Sequence, residues 1–96
     1  MTMSLKMYKI IYTREAKTAI DKLTLKKKRQ VKDAIGRIAQ KPKIGKQLTH
    51  ELTGLLSYRS GTYRIIYRIY HKEVLVLILT IGHRKDIYKQ VAKKLR

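Results

Sequence analysis

Apolar residues recur along this chain with two periods, and the change from one to the other divides it. Ala16, Ala19, Ile20 and Leu23 fall at i, i+3, i+4 and i+7, one helical stripe. Val31, Ala34, Ile35 and Ile38 repeat the pattern and predict a second helix to about Gln40. Thr13 and Thr24 precede these stripes as N-caps, and Glu15 sits where a carboxylate favours the helix dipole. Pro42 ends the second helix, because the residue before proline is pushed out of the α region. Ahead of both helices, Tyr8 to Tyr12 (YKIIY) reads as a short strand.

After Gly54 the period becomes two. Tyr63, Ile65, Tyr67 and Ile69 alternate with Arg64, Ile66, Arg68 and Tyr70, so Arg64 and Arg68 share one strand face. Tyr63 and Tyr67 then point the other way, toward a core. Val74 to Ile81 is almost wholly apolar and predicts a central strand covered on both sides. Three strands are expected, at about 55–60, 63–70 and 74–81, joined by Ser60-Gly61-Thr62 and by a short turn at His71-Lys72. Residues 41–53 read as a polar connection with glycine turns. Asp86 to Leu95 predicts a closing helix with a basic end at Lys93, Lys94 and Arg96. The order is β-α-α-β-β-β-α in one α+β domain over residues 1–96, with residues 1–6 a loose extension. The two helices form a hairpin on one face of the sheet.

Charge changes the picture from fold to partner. There are 24 Lys and Arg against 6 Asp and Glu, a formal net charge of +18 on 96 residues. Such an excess repels itself in a compact domain and matches a polyanion, nucleic acid first. An acidic protein partner is the other expectation. The chain has no cysteine, which excludes disulfides, thiolate nucleophiles and cysteine-bound zinc. His50, His71 and His83 lack the company of a metal site, and no metal or cofactor is expected. No apolar run approaches the about 20 residues that span a bilayer, and no signal peptide is visible, so a cytoplasmic location is the expectation.

The candidate chemistry is cationic. Arg64 sits on a strand, and Gly82-His83-Arg84 closes the next, with Tyr88 four residues on. Fixed guanidinium groups bind and orient a phosphate. RNA cleavage by its own 2′-hydroxyl needs an in-line geometry, stabilised phosphate oxygens and proton transfers, but no metal. A tyrosine stacks a base, and a histidine titrates near neutrality. Lys26, Lys27, Lys28, Arg29 and Lys32 cluster at the start of the second helix as an RNA or ribosome contact, with Arg59 and Arg68 added from the strands. His50 and His71 read as solvent or turn residues.

Leu52-Thr53-Gly54, Tyr58-Arg59, Gly61-Thr62-Tyr63-Arg64-Ile65-Ile66-Tyr67 and Gly82-His83-Arg84-Lys85-Asp86-Ile87-Tyr88 together resemble the RelE/ParE superfamily of toxins, and more narrowly its RelE branch. The resemblance runs from Tyr8 to about Leu95. It implies a small antiparallel sheet with a helical hairpin on one face. It also implies a ribosome-dependent endoribonuclease that cuts mRNA in the A site and is neutralised by a cognate acidic antitoxin wrapped around it. The complex is expected to be of higher order and the free toxin monomeric. By the resemblance, Arg64 lies against the scissile phosphate, Arg84 serves the leaving 5′ oxygen, and Tyr88 packs on and orients the RNA. ParE-like members instead poison DNA gyrase.

One departure stands out. Ribonucleases of the branch carry two basic residues, usually lysines, on the strand where this chain has Leu55 and Ser57. The general base is then sought at His83 or Arg59. A gyrase poison and a non-catalytic nucleic-acid-binding module remain the alternatives to the nuclease.

Overall fold

The computed structural model describes residues 7–83 and 86–95. The N-terminal extension 1–6, Arg84, Lys85 and Arg96 lie outside the described residues. Strand β1 (Lys9–Tyr12) leads into helices α1 (Arg14–Asp21) and α2 (Leu25–Gln40). A short β2 (Lys46–Gln47) is followed by β3 (Leu56–Ser60), β4 (Tyr63–Tyr70) and β5 (Leu75–Gly82), and α3 (Asp86–Leu95) closes the described chain.

The helices start where the sequence places their caps. The Ala16 N–H donates to Thr13 Oγ1 at 3.1 Å, and the Lys27 N–H donates to Thr24 Oγ1 at 3.3 Å. Each bond satisfies one amide that has no partner within its helix. Thr13 Oγ1 also donates to the Leu79 carbonyl, which ties the start of α1 to the sheet.

The five strands form one sheet in the order β1-β5-β4-β3-β2. β3, β4 and β5 are antiparallel neighbours, as expected. β1 corrects the expectation of a wholly antiparallel sheet, because it pairs with β5 in parallel. A parallel pair needs a long crossover, and everything between β1 and β5 supplies it. β2 is a second correction: the polar connection contains a two-residue edge strand, paired through Lys46 with Ser57 and Gln47 with Leu56. The buried Tyr67 positions it, accepting a bond from the Gly45 N–H (2.9 Å) and donating to the Pro42 carbonyl (2.6 Å). Burial pushes the Tyr67 phenol up to about 12, because the charged form would lose its water.

The two hairpins differ. Ser60 pairs with Tyr63, so Gly61 and Thr62 alone make the first turn, and Gly61 takes the positive φ of 62° that such a tight loop requires. Tyr70 pairs with Leu75, so the second turn spans four residues rather than the short His71-Lys72 turn expected. Val74 ends it at φ 52°, a region costly for a β-branched residue, and its carbonyl is held by the Lys9 N–H at 2.9 Å.

Both sheet faces are covered, unequally. The hairpin of α1 and α2 packs Ala16, Val31, Ala34, Ile35 and Ile38 against Leu56, Ile65, Tyr67, Val76 and Ile78. On the other face α3 makes a smaller cluster, Ile87 and Val91 against Leu55 and Ile66. In β5 the register slips between Ile66 and Tyr67 of its neighbour, leaving Leu79 without a partner across β4.

Candidate functional site

Arg64 occupies the second position of β4, in the middle of the sheet and half-buried. Its Cα partners are Arg59 on β3 and Gly82 on β5. Residues directly opposite share a face, so two guanidinium groups stand on neighbouring strands of the face that α3 partly covers. Like charges in that relation destabilise a sheet. The arrangement gains from an anion laid across it.

Tyr88 comes to this pair from the first turns of α3. Its ring centroid lies 5.7 Å from Arg64 Cζ, and its hydroxyl is hydrogen-bonded to Ser57 Oγ at 2.9 Å. Ser57 is buried, on the strand beside Arg64 and two residues from Arg59 on the same face. The helix can approach because Gly82 has no side chain: a Cβ there would overlap Ile87. Arg64, Tyr88, Ser57 and Arg59 therefore form one constellation, a cation pair beside an aromatic ring whose hydroxyl is tethered.

His83 is not part of it. Its ring stacks on Tyr63 with centroids 4.8 Å apart and planes tilted 32°. Tyr63 packs against the helical-hairpin core, on the face opposite Arg64. Lys27 Nζ lies 5.8 Å from the centre of the same Tyr63 ring. The structure thus joins His83 to the basic start of α2 rather than to Arg64 and Tyr88. Arg84 lies outside the described residues.

The remaining basic candidates spread out. Lys26 and Arg29 line one shallow depression with Asp33. Lys32 lines another, on the α1 side, with Lys17 and Asp21. Lys28 is half-buried in the first turns of α2. Arg68 lies four residues along β4 from Arg64, about 13 Å at strand rise, with its guanidinium 5.5 Å from the Tyr70 ring. Leu55, at one expected basic position, belongs to the cluster under α3. Ser57 is the residue that sequence reasoning missed. Its only signal is the pairing register, which sets it on the face of Arg59 and Arg64. Among the described residues no group of three or more His, Asp or Glu could hold a metal ion, and no helix is long and apolar enough to cross a membrane.

Residues 10–88 match the family described as ParE toxin of type II toxin-antitoxin system, parDE. Toxin RelG of Mycobacterium tuberculosis is 44% identical over 61 residues, which span 62% of this chain and 70% of that protein. The toxin-antitoxin complex RelBE2 of the same organism holds a chain that superposes with a TM-score of 0.77 at 35% identity, covering 84% of this chain and 95% of that one. The isolated RelE toxin of E. coli superposes at 0.71 with 19% identity, over 93% and 99% of the two chains. A chain of the chromosomal ParDE system of P. aeruginosa does so at 0.67 with 17% identity, over 83% and 99%. The last two likenesses concern the fold alone. Because a RelE and a ParE system share it, the fold does not divide the two activities.

Proposed function

We propose a function from one premise: the chain belongs to the ParE toxin family of type II toxin–antitoxin systems, within the RelE/ParE superfamily, and is a type II toxin. We read it as a ribosome-dependent, metal-independent endoribonuclease of the cytoplasm that cuts mRNA in the A site through the 2′-hydroxyl. The observation that carries this reading is Arg64, fixed in mid-sheet with Arg59 across from it and the tethered Tyr88 ring at its side. Arg64 and Arg59 hold the scissile phosphate and offset charge on its oxygens. Tyr88 carries the adjoining base or ribose, its position set by Ser57. Arg84 follows His83 directly and, by the family resemblance, serves the leaving 5′ oxygen. His83 faces away from Arg64 and is not taken as the base. The Ser57–Tyr88 hydroxyl pair is the group at hand for passing a proton, and the ribosome supplies the alignment of the 2′-hydroxyl. Free RNA is therefore a poor substrate.

The partner follows from charge. A domain of +18 is held silent by an acidic antitoxin, as a RelB-type partner accompanies the toxin in the RelBE2 complex. Association between them is fast and salt-sensitive.

A second reading, a gyrase poison, has its own support: the matched family is described by its ParE toxins, and Leu55 and Ser57 replace the strand lysines of the nuclease branch. Brief expression in cells followed by mapping of mRNA 5′ ends separates the two. In-frame cuts within translated regions are expected. Intact mRNA with trapped, linearised DNA would transfer the function to gyrase.

A further inference from the structure

We propose that His83, stacked on Tyr63 beside Lys27, is a platform for one unpaired RNA base, and that Lys27 takes the adjoining phosphate. This rests on the reading of the chain as an RNA-directed toxin, but it sets a second contact on the opposite side of the sheet from Arg64.

Three observations converge on it. The rings of His83 and Tyr63 lie within 32° of parallel at 4.8 Å, so Tyr63 holds the His83 ring from behind and the stack ends on the outer face of His83. His83 is exposed and Tyr63 half-buried, so the core backs the inner ring while the outer one meets solvent. Lys27, from the first turn of α2, holds its Nζ over the Tyr63 ring, 5.8 Å from the centroid. His83 also borders a groove of about 510 Å³ between α1 and α3, room enough for a nucleotide, with Arg14 and Lys22 as well as Glu15 and Asp86 on its wall.

Cross-strand aromatic pairs stabilise a sheet whether buried or exposed. This one leaves the outer ring in water, next to cations, at the end of a sheet. Every nucleobase has a π face, so such a surface accepts any unpaired base, and a lysine close to it can meet the phosphate that the base carries with it. A paired base is already stacked within its duplex and gains nothing here. The base comes either from mRNA flanking the cleavage point or from ribosomal RNA.

The test uses the purified full chain and a short single-stranded RNA containing 2-aminopurine, whose fluorescence is quenched by stacking. Wild type quenches the single strand and not the same sequence in a duplex. His83→Ala weakens binding about 5- to 150-fold, the range for losing one stacked base, and loses the quench. His83→Phe restores both, and Tyr63→Leu, which keeps the apolar packing, loses both. Lys27→Gln lowers the salt slope by about 0.7, one phosphate contact on a single strand. On programmed ribosomes, loss of quench from labelled mRNA in His83→Ala identifies mRNA as the source. Reduced ribosome affinity with unchanged mRNA fluorescence identifies ribosomal RNA. Wild-type behaviour of His83→Ala in both arms overturns the proposal, as does failure of His83→Phe to rescue. Cleavage on ribosomes, scored with the same wild-type preparation, keeps the two readings apart. Quench without cleavage removes the nuclease and leaves the platform, and cleavage without quench does the reverse.

Discussion

Ile65 and Ile66 are adjacent in β4, both fully buried, and they belong to different worlds. Ile65 points into the core built by two helices and most of the sheet. Ile66 points into the small cluster that holds one short helix, on the face that carries Arg64, Arg59, Ser57 and Tyr88. One face is filled with branched side chains and holds the molecule together. The other keeps polar groups on rigid strands and covers them with a single helix, anchored by Ile87 and Val91 and by an ion pair from Lys94 to Glu15. A site needs fixed cations and open space, and a core needs neither. Dividing the two between the faces of one sheet lets 96 residues do both.

The sharpest way to break this division is to truncate the two isoleucines separately. Ile65→Ala should cost about 2–5 kcal/mol of global stability, read as a lower denaturation midpoint. Ile66→Ala should act first on α3, with faster amide exchange in residues 86–95 before the rest of the domain opens. Equal exchange across the chain in both variants would show that the faces are one cooperative core.

Arg64→Ala tests the other half of the comparison. It should lower the single-turnover cleavage rate on ribosomes by about 10²–10³, while its denaturation midpoint stays near that of wild type. A large stability loss would make Arg64 part of the scaffold. Gly82→Ala lies between the two cases. Its methyl group must displace Ile87, an overpacking of about 1–3 kcal/mol. Cleavage should fall with the docking of α3 and with Tyr88, visible as lost Tyr88–Ser57 contact by NMR.

Ser57→Ala removes the hydroxyl that holds Tyr88, at about 0.5–1.5 kcal/mol. Maximal cleavage should drop more than ribosome affinity, and Ser57→Thr should recover most of it. The mildest effect concerns pH. The Tyr67 phenol is raised from 10.0 to about 12 in the folded protein, so the folded state keeps its proton longer than the unfolded one. Its contribution is complete below about pH 10 and is lost as pH climbs toward 12. Unfolding by denaturant at pH 8, 10 and 11 should show this decline in wild type, and a shallower one in Tyr67→Phe.

What the sequence alone determined is what depends on neighbours in the chain. The helical stripes and the Thr13 and Thr24 caps are local, and α2 and α3 run as their patterns require, Leu25–Gln40 and Asp86–Leu95. The period-2 alternation likewise set Tyr63 and Tyr67 against the core and Arg64 away from it. Tertiary structure decided whatever depends on pairing across long separations. Nothing near Lys9 shows that β1 runs parallel to a strand more than sixty residues on, and Lys46 and Gln47 form a strand by pairing with Ser57 and Leu56, next to a Gly45 bonded to Tyr67. Ser57 reads as a gap in a basic pattern until α3 brings Tyr88 to it, 31 residues later. His83 sits next to Arg84 in the chain, and only the register of β4 with β5 turns its ring to Tyr63. A side chain's face is a local property of a strand, but its neighbours on that face come from other strands and helices.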